Sequence, residues 1–357
     1  MKLCSLTVTS RTREGIIADA LKSVIDWVDG CVILELDTGS DRTIEVAKEI
    51  AGGKLHLYTI PFDAAEQDCA ALRNHLLALA KDLGYDWAVM LDTDERIELN
   101  GMDIRIFLEH TQHEVICVAN DAGNYHKERF FRIPCAYRWV GLVHEYLDMP
   151  GKLHYTPRVI RFRELVKTPE LYKSGQERML PLLLDQVRLD SRNPRWRMYL
   201  GYVLSAMGKD AEAIDQFKCA AELSEDGGAA AWALTLAANI HAENEEYYQS
   251  RSTALEAMKC APYIAEAQCA AAHACLMLGD TLSAQTWAHF AILNGRTQPG
   301  GVTRQGYCDP RALFEAPYEI LAEVFRVEGK QKESAQASAL AAKARTQRIK
   351  FCVHGEE

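Results

Sequence analysis

The residues of this sequence best suited to chemistry are two aspartates one residue apart, Asp92 and Asp94. They follow an apolar run that begins at Trp87 and has the pattern of a buried strand. Side chains two residues apart on an extended chain point to the same side, and carboxylate oxygens are the ligands that hard divalent cations prefer. The pair could therefore hold a cation beside a diphosphate, although Asp-x-Asp is also found in solvated turns that follow strands.

Two further segments place polar groups where a strand is expected to end. The second apolar run ends at Asp37, and the polar segment 38–43, which contains Gly39, then opens a helical pattern. The first run ends at Thr9–Arg11, and Glu14 follows it. Because ligands of open α/β sheets bind beyond the carboxyl ends of the strands, and helix N-termini favour phosphate, these groups indicate a nucleotide site.

Short apolar runs alternate with helical patterns over the first 155 residues. The predicted strands are Leu3–Thr9, Gly30–Leu36, Lys54–Thr59, Trp87–Leu91 and Val115–Val118. The predicted helices are Gly15–Val28, Thr43–Ala51, Cys69–Leu83 and Met102–His110. This alternation is typical of an α/β sheet with crossover helices.

An Ala-rich helical pattern with an internal repeat replaces the strands beyond about residue 170. Three glycines each precede small or apolar residues at the same offsets. They are Gly208 with Ala213, Phe217 and Ala220, Gly279 with Ala284, Ala288 and Ala291, and Gly329 with Ser334, Ser338 and Ala341. Leu200-Gly201 would supply a small residue on the facing helix. The first two glycines lie about two 34-residue tetratricopeptide units apart, with a degenerate copy between them and an insertion at Asn294–Pro317; a plain helical bundle is the alternative.

Composition and charge limit the class of protein. The 357 residues are enough for about two domains, which we predict at residues 1–168 and 169–357. Hydrophobic residues make up 48% and charged residues 25%, which excludes a disordered or collagen-like chain. The net charge of −10 argues against general affinity for nucleic acid.

The cysteines and the hydropathy pattern predict a cytoplasmic protein. The 11 cysteines are odd in number and include no Cys-x-x-Cys pair, so they indicate neither a disulfide framework nor a zinc site. No apolar stretch approaches about 18 residues, and Met1–Ser10 leads into Arg11 without the apolar core of a signal peptide. We therefore expect no membrane span and a reducing compartment.

The sequence resembles the inverting family-2 glycosyltransferases of GT-A fold, particularly those fused to tetratricopeptide-like helices. The segments that carry the resemblance occur in family-like order and spacing. They are Asp37–Ser40 with Asp41-Arg42-Thr43, Ala71–Asn74, Leu91–Glu95, Arg129–Arg132 and Gly141–Glu145. The resemblance covers nearly the whole chain. It implies an α/β GT-A domain, Rossmann-like with a mixed sheet, followed by an all-α tetratricopeptide-like solenoid.

The resemblance also implies roles for individual residues. Those implied to bind a nucleotide sugar, in the first instance a UDP-sugar, are Thr9, Ser10, Arg11, Glu14, Asp37, Gly39, Arg73, Asp92 and Thr93. Asp92, Asp94 and His144 would hold Mn²⁺ or Mg²⁺ on the diphosphate. His144 could equally be a structural histidine, and Arg73 could form a surface pair with Asn74 at a helix start.

An inverting displacement of this kind needs two forms of assistance. A metal offsets the charge of the departing nucleoside diphosphate, and a general base takes the proton of the acceptor hydroxyl or thiol. We predict that Glu145 is the base and that Asp94 acts through the metal. Glu95 is the alternative base, and a surface carboxylate is the alternative interpretation of Glu145.

A basic segment from Lys152 to Arg197 joins the two predicted domains. It holds 11 Lys or Arg and five Asp or Glu, a local charge of +6. Its candidate contacts for an anionic acceptor are Arg158, Arg161, Arg163 and Trp196. Such an acceptor would be a phosphorylated glycan, an acidic peptide or a nucleic-acid base. The alternative is a solvated junction whose arginines pair with the acidic partner domain.

Together these patterns predict a metal-dependent inverting glycosyltransferase. Its helical domain would help to present the acceptor and could form a homodimer. The alternative is a non-catalytic helical-repeat scaffold with a degenerate nucleotide-binding domain. Nucleotidyl transfer is disfavoured because the first strand is not followed by a Gly-rich, Lys-containing phosphate loop.

Overall fold

Contacts between residues divide the chain into two units, Met1–Lys167 and Thr168–Glu357. The computed structural model describes residues 1–10, 12–37, 41–61, 68–121, 125–149, 154–155, 159–166, 168–297 and 309–354. Strands are confined to the first unit, as far as these residues show, and the second unit is helical.

The N-terminal unit is built on a mixed β-sheet. Its strands are β1 (Leu3–Ser10), β2 (Gly30–Asp37), β3 (Leu55–Pro61), β4 (Trp87–Met90), β5 (Glu95–Glu98), β6 (Val115–Asn120), β7 (His126–Arg132), β8 (Arg138–Val140), β9 (Tyr146–Asp148), β10 (His154–Tyr155) and β11 (Arg161–Glu164). The main sheet has the order β3-β2-β1-β4-β7-β6-β11-β5, with β10 paired to β6. β1, β2, β3 and β4 are parallel, whereas β7 is antiparallel to both β4 and β6.

Helices cover both faces of this sheet. They are α1 (Glu14–Lys22), α2 (Thr43–Ala51), α3 (Cys69–Asp82) and α4 (Ile104–His110). Because successive strand residues point to opposite faces, β1 contributes Leu3 to the apolar cluster that includes Ile17 of α1. The next residues of that strand on the other face, Cys4 and Leu6, join the cluster that includes Leu76 of α3.

The central strand β1 marks the place where the direction of chain connection reverses. The chain passes from β1 to β2 and β3 on one side, and β4 then lies on the other side of β1. The Leu91 N–H donates to the Leu6 carbonyl at 2.9 Å, so Asp92 leaves the sheet beside the carboxyl end of β1. In parallel α/β sheets the crevice at such a reversal point is the usual ligand site.

The structure confirms the five predicted strands as β1, β2, β3, β4 and β6, but it corrects the geometry of the Asp-x-Asp segment. The Glu95 N–H donates to the Asp92 carbonyl at 2.9 Å. Residues 92–95 thus form a tight turn that leads into β5, which corresponds to the alternative of a turn after the strand and not to an extended segment. The extended-strand reason for placing Asp92 and Asp94 side by side therefore does not apply.

A small antiparallel hairpin lies apart from the main sheet. It consists of β8 and β9, with Trp139 opposite Leu147. The segment 141–145 connects the two strands and carries His144 and Glu145. We call β8, β9 and this connection the 138–148 hairpin.

The C-terminal unit is a helical repeat. Its helices are α5 (Pro169–Leu189), α6 (Pro194–Ala206), α7 (Asp210–Leu223), α8 (Gly227–Glu243), α9 (Tyr247–Cys260), α10 (Ala265–Met277), α11 (Thr281–Thr297), α12 (Pro310–Leu313), α13 (Ala316–Val327) and α14 (Gln331–His354). Pairs of consecutive helices pack as hairpins: α6 with α7, α8 with α9, α10 with α11, and α13 with α14. Within the predicted insertion, residues 298–308 lie outside the described residues.

Each hairpin turns at a residue with positive φ. Gly208, Gly279 and Gly329 have φ values of 72°, 79° and 74°, and Glu245 takes the same place in the second copy with φ 60°. Residues at offsets of five, nine and twelve from Glu245 are Ser250, Ala254 and Ala257, all buried. The degenerate copy is therefore a complete one in which glutamate replaces the turn glycine.

Close packing explains the small residues of the repeat, with one correction. A Cβ built on Gly201 would lie 2.7 Å from the Phe217 ring, so the two helices approach where no side chain fits. After Gly329, however, Ser338 is exposed and the buried residues are Ala337, Ala341 and Ala344.

No helix within the described ranges is both long and apolar enough to cross a membrane.

Candidate functional site

The carboxyl ends of β1 and β2 are joined by hydrogen bonds between the segments that follow them. The Glu14 carboxylate accepts from the Arg42 N–H at 3.2 Å, and the Asp41 carboxylate accepts from the Glu14 N–H at 3.1 Å. The Arg13 N–H donates to the Thr43 hydroxyl at 2.9 Å. Glu14, predicted to line the nucleotide pocket, thus caps the start of α2, and the N-termini of α1 and α2 are held side by side.

The other predicted nucleotide contacts lie at this edge of the sheet. Thr9 is buried and its hydroxyl donates to the Ser10 carbonyl at 3.3 Å, while the Ser10 and Thr12 hydroxyls are 2.9 Å apart. Asp37 is the last residue of β2, and Thr93 is buried in the turn after β4. Arg11 and Gly39 lie outside the described residues.

The carboxylate of Asp92 is bonded by two arginines. Arg73 Nη2 donates to its two oxygens at 3.0 and 3.3 Å, and Arg129 Nη2 donates to Oδ2 at 3.1 Å. Burial alone would raise the pKa of Asp92, but the two guanidinium groups outweigh it and hold the pKa well below its usual range. Asp92 is therefore ionised at neutral pH.

The same arginine, Arg73, also holds the candidate base. Its Nε donates to Glu145 Oε1, and its guanidinium carbon lies 5.2 Å from the centroid of the Trp139 ring. Burial raises the pKa of Glu145, but Arg73 more than compensates and leaves the pKa below its ordinary value. Among the described residues no hydrogen bond uses Nη1 of Arg73, and the side chain is 14% exposed. One guanidinium nitrogen thus remains to bind an anion.

Glu95, the alternative base, is enclosed by protein. Its side chain is 0% exposed, Arg129 Nη2 donates to it, and Lys127 Nζ donates to the same oxygen at 2.8 Å. Burial raises the pKa of Glu95 more than Arg129 lowers it. Lys127 also bonds Glu164 at 2.6 Å. A carboxylate with no exposed surface is enclosed by its protein partners, which favours a structural role for Glu95 over the role of alternative base.

Helix α3 fixes the 138–148 hairpin at three points. The Cys69 N–H donates to the Leu142 carbonyl at 2.9 Å. The Asn74 amide bonds both backbone groups of Trp139, accepting from its N–H at 2.9 Å and donating to its carbonyl at 3.0 Å. The third point is the Arg73 bond to Glu145. Asn74 is therefore not a surface residue at a helix start.

The predicted metal ligands do not form a complete metal centre. No group of three His, Cys, Asp or Glu side chains within the described residues is placed to hold a metal ion. Both oxygens of Asp92 are bonded by guanidinium groups, and His144 lies in the 138–148 hairpin with φ 50°. Two aspartates alone fit a divalent cation only if a ligand such as a diphosphate supplies further oxygens.

The predicted acceptor contacts are dispersed. Arg161 is buried on β11, while the exposed Arg163 pairs with Glu98 of β5. Trp196 is 1% exposed in α6, where its ring packs inside the helical unit and has no face for an acceptor. Arg158 lies outside the described residues. The pair of Arg163 with Glu98 lies within the N-terminal unit, so it does not test pairing of these arginines with the partner domain.

Three residues of the site were not predicted as such. Arg129 was part of a family-like segment but had no assigned role, and Lys127 and Trp139 carried no signal. A Lys-x-Arg pair two residues apart on an apolar strand is the clue that was available, because residues i and i+2 share a face.

Comparisons with known proteins leave the family open. No protein-family model matches the chain, and no curated protein matches it. Solved structures similar to part of it include the crystal structure of MamA, with 14% identity, a TM-score of 0.39, and coverage of 52% of this chain and 99% of that chain. BtubC (BKLC) from P. vanneervenii has 13% identity and a TM-score of 0.40, covering 50% of this chain and 77% of that chain. YrrB, described as a TPR protein with an unusual peptide-binding site, has 15% identity and a TM-score of 0.36, covering 52% and 87%.

Proposed function

We propose that the N-terminal unit is a GT-A glycosyltransferase domain that binds a nucleoside-diphosphate sugar, a UDP-sugar in the first instance. The observation that carries the proposal is Arg73, which has an open guanidinium nitrogen at the edge where β1 and β4 end, next to Asp92 and Glu145. Ligands of parallel sheets bind at this edge, and arginine matches the geometry of phosphate oxygens. The sugar would pass with inversion to an acceptor hydroxyl or thiol, which the helical unit would help to present.

The charge balance supports a divalent cation in this proposal. The connected network has four carboxylates, Asp92, Glu95, Glu145 and Glu164, and three cationic side chains, Arg73, Lys127 and Arg129, a net charge of −1. A bound diphosphate would add further negative charge. Mn²⁺ or Mg²⁺, held by Asp92 and Asp94 together with the donor, would offset it and stabilise the leaving group.

Glu145 is the residue that we propose as general base. Its side chain is 11% exposed and the lowered pKa keeps it ionised, as a proton acceptor must be. It lies in the same ion network as Asp92, through Arg73. An acceptor bound above the 138–148 hairpin would thus meet the base and the donor together. The location in a reducing cytoplasm and a homodimer through the helical unit remain predictions.

Titration calorimetry with UDP, in the presence of Mn²⁺ and then of a chelator, tests the proposal. We expect saturable binding that Asp94→Ala removes in the manganese arm. The matched control is Asp82→Ala, an exposed aspartate at the far end of α3, which should bind as wild type. Sugar-nucleotide hydrolysis should be lost in Asp94→Ala while the unfolding temperature stays unchanged. Full binding or turnover by this variant contradicts the assignment.

A non-catalytic helical-repeat scaffold is the second candidate, and one observation favours it. Arg73 neutralises both Asp92 and Glu145, so the two groups that the reaction needs are engaged with protein. A scaffold of this kind would show no metal-dependent affinity for any of UDP, GDP, CDP or dTDP. The same calorimetric panel therefore separates the two candidates.

A further inference from the structure

Arg73 is held by three neighbours, two carboxylates and one aromatic ring. Asp92 and Glu145 accept hydrogen bonds from its Nη2 and Nε, and the guanidinium carbon lies over the Trp139 ring, 5.2 Å from the ring centroid. The two hydrogen bonds fix the direction of the group, and the ring packs against it. A guanidinium on a flexible stem would otherwise sample many rotamers, since arginine carries considerable side-chain entropy.

The main β-sheet does not hold Trp139 in this position. It lies on β8, which pairs only with β9 among the described strands. The Asn74 amide bonds both the N–H and the carbonyl of Trp139. Asn74 and Arg73 are neighbours in the first turns of α3, so one helix provides the cation and also fixes the ring beneath it.

We propose that Trp139 and Asn74 are positioning residues for anion binding by Arg73. Asn74 fixes the backbone of β8, the Trp139 ring then supports the Arg73 guanidinium, and the open Nη1 is presented to a diphosphate. This inference rests on the proposed function, because the diphosphate is the anion that it names. Neither residue touches the reacting atoms in this account.

A second tryptophan in the same unit provides a matched control. Trp87 is also buried and also lies under an arginine, with the guanidinium carbon of Arg132 at 4.7 Å from its ring centroid. Trp87 is the first residue of β4, however, and so lies at the opposite end of that strand from Asp92. Replacing either ring removes the same kind of packing and the same cation–π contact, but only one of them lies beside Arg73.

The test compares Trp139→Leu, Trp139→Phe and Trp87→Leu in the full chain, by titration calorimetry with UDP and Mn²⁺ and by thermal unfolding. We expect Trp139→Leu to raise the Kd for UDP about tenfold, since a desolvated cation–π contact is of that order. Trp139→Phe keeps an aromatic face and should stay within about threefold of wild type. Trp87→Leu should lower the unfolding temperature as much as Trp139→Leu and leave the Kd unchanged.

Asn74 is tested in the same assay through two substitutions. Asn74→Ala removes both bonds to Trp139, whereas Asn74→Asp keeps the acceptor for the Trp139 N–H. We expect a weaker Kd for UDP in Asn74→Ala and partial rescue in Asn74→Asp. The inference is overturned if wild type binds UDP and Trp139→Leu binds it equally well, or if Trp87→Leu loses as much affinity. A wild-type chain that binds none of the four nucleoside diphosphates overturns the proposed function, and this inference with it.

Discussion

The buried carboxylate of Glu95 offers a sharp test of how the ion network holds the N-terminal unit together. Glu95 is fully buried and bonds Arg129 and Lys127, and the Arg129 side chain is itself 1% exposed. Glu95→Gln keeps the size of the side chain and one acceptor oxygen but removes the charge. The variant would leave a buried arginine with Asp92 as its remaining carboxylate partner.

The magnitude follows from which partners survive. Breaking a buried pair by removing one member typically costs about 3–5 kcal/mol, because the other charge stays buried without compensation. Here Arg129 keeps Asp92 at 3.1 Å, and Lys127 keeps Glu164 at 2.6 Å. The retained amide oxygen reduces the loss further. We therefore expect Glu95→Gln to lower the free energy of unfolding by about 2–3 kcal/mol.

The matched control is Glu98→Gln, on the same strand β5. Glu98 also pairs with an arginine, Arg163, but that arginine is 57% exposed. Exposed pairs contribute about 0–1 kcal/mol. Scanning calorimetry of the full chain should show the transition of the N-terminal unit shifted down by roughly 4–12 °C in Glu95→Gln, with a smaller shift of about 4 °C or less in Glu98→Gln. Equal shifts in the two variants would show that burial of the network does not matter to stability.

Three further predictions concern packing, backbone and pH. Gly201→Ala should destabilise the helical unit by about 1–3 kcal/mol because its Cβ has no space against the facing helix. The control is Gly175→Ala, in α5 with open space around it, which should be neutral or slightly stabilising. Chemical unfolding followed by circular dichroism compares the two variants. Glu245→Gly should raise the unfolding temperature, since φ 60° costs an L-residue about 1 kcal/mol and glycine almost nothing. Because the pKa of Glu145 is lowered on folding, its contribution to stability is present above pH about 4.5 and is lost as the pH falls below that value. Glu145→Gln should therefore flatten the acid side of the plot of unfolding temperature against pH, and an unchanged slope would contradict the assigned shift.

The sequence was sufficient for the framework of the N-terminal unit and much less so for the strands that complete it. β1, β2, β3, β4 and β6 are apolar runs bounded by polar turns, which period-based reasoning detects. β8, β9, β10 and β11 have two to four residues each, too few to show a period. β7 begins with charged residues that face the ion network, so it has no apolar run at its start.

The contacts of the candidate site could not be read from the sequence for a different reason. Arg73 bonds residues 19 and 72 positions away, and Arg129 bonds residues 34 and 37 positions away. Local patterns show which residues end a strand, but the pairing of charges across such distances depends on the tertiary fold. Local patterns did not decide between an extended Asp-x-Asp segment and a turn after β4, and the structure shows the turn at residues 92–95. In the helical unit, the replacement of glycine by Glu245 made the predicted second copy look degenerate in the sequence, although its buried positions are complete.

The way Arg73 is shared leads to a last prediction. Asp92 has a second arginine, whereas Arg73 is the one cationic side chain bonded to Glu145 among the described residues. A diphosphate at Nη1 of Arg73 binds a guanidinium whose charge Glu145 already offsets, so Glu145→Gln should bind UDP more tightly than wild type, by about fivefold for a charge interaction of this size. The matched control is Glu164→Gln, since Glu164 pairs with Lys127 and not with Arg73. Sugar transfer should meanwhile fall at least about 10²-fold, because the base is gone. In Glu145→Gln the affinity for UDP should therefore rise while the rate of sugar transfer falls. A loss of both affinity and rate would mean that Glu145 supports the donor site instead of weakening donor binding.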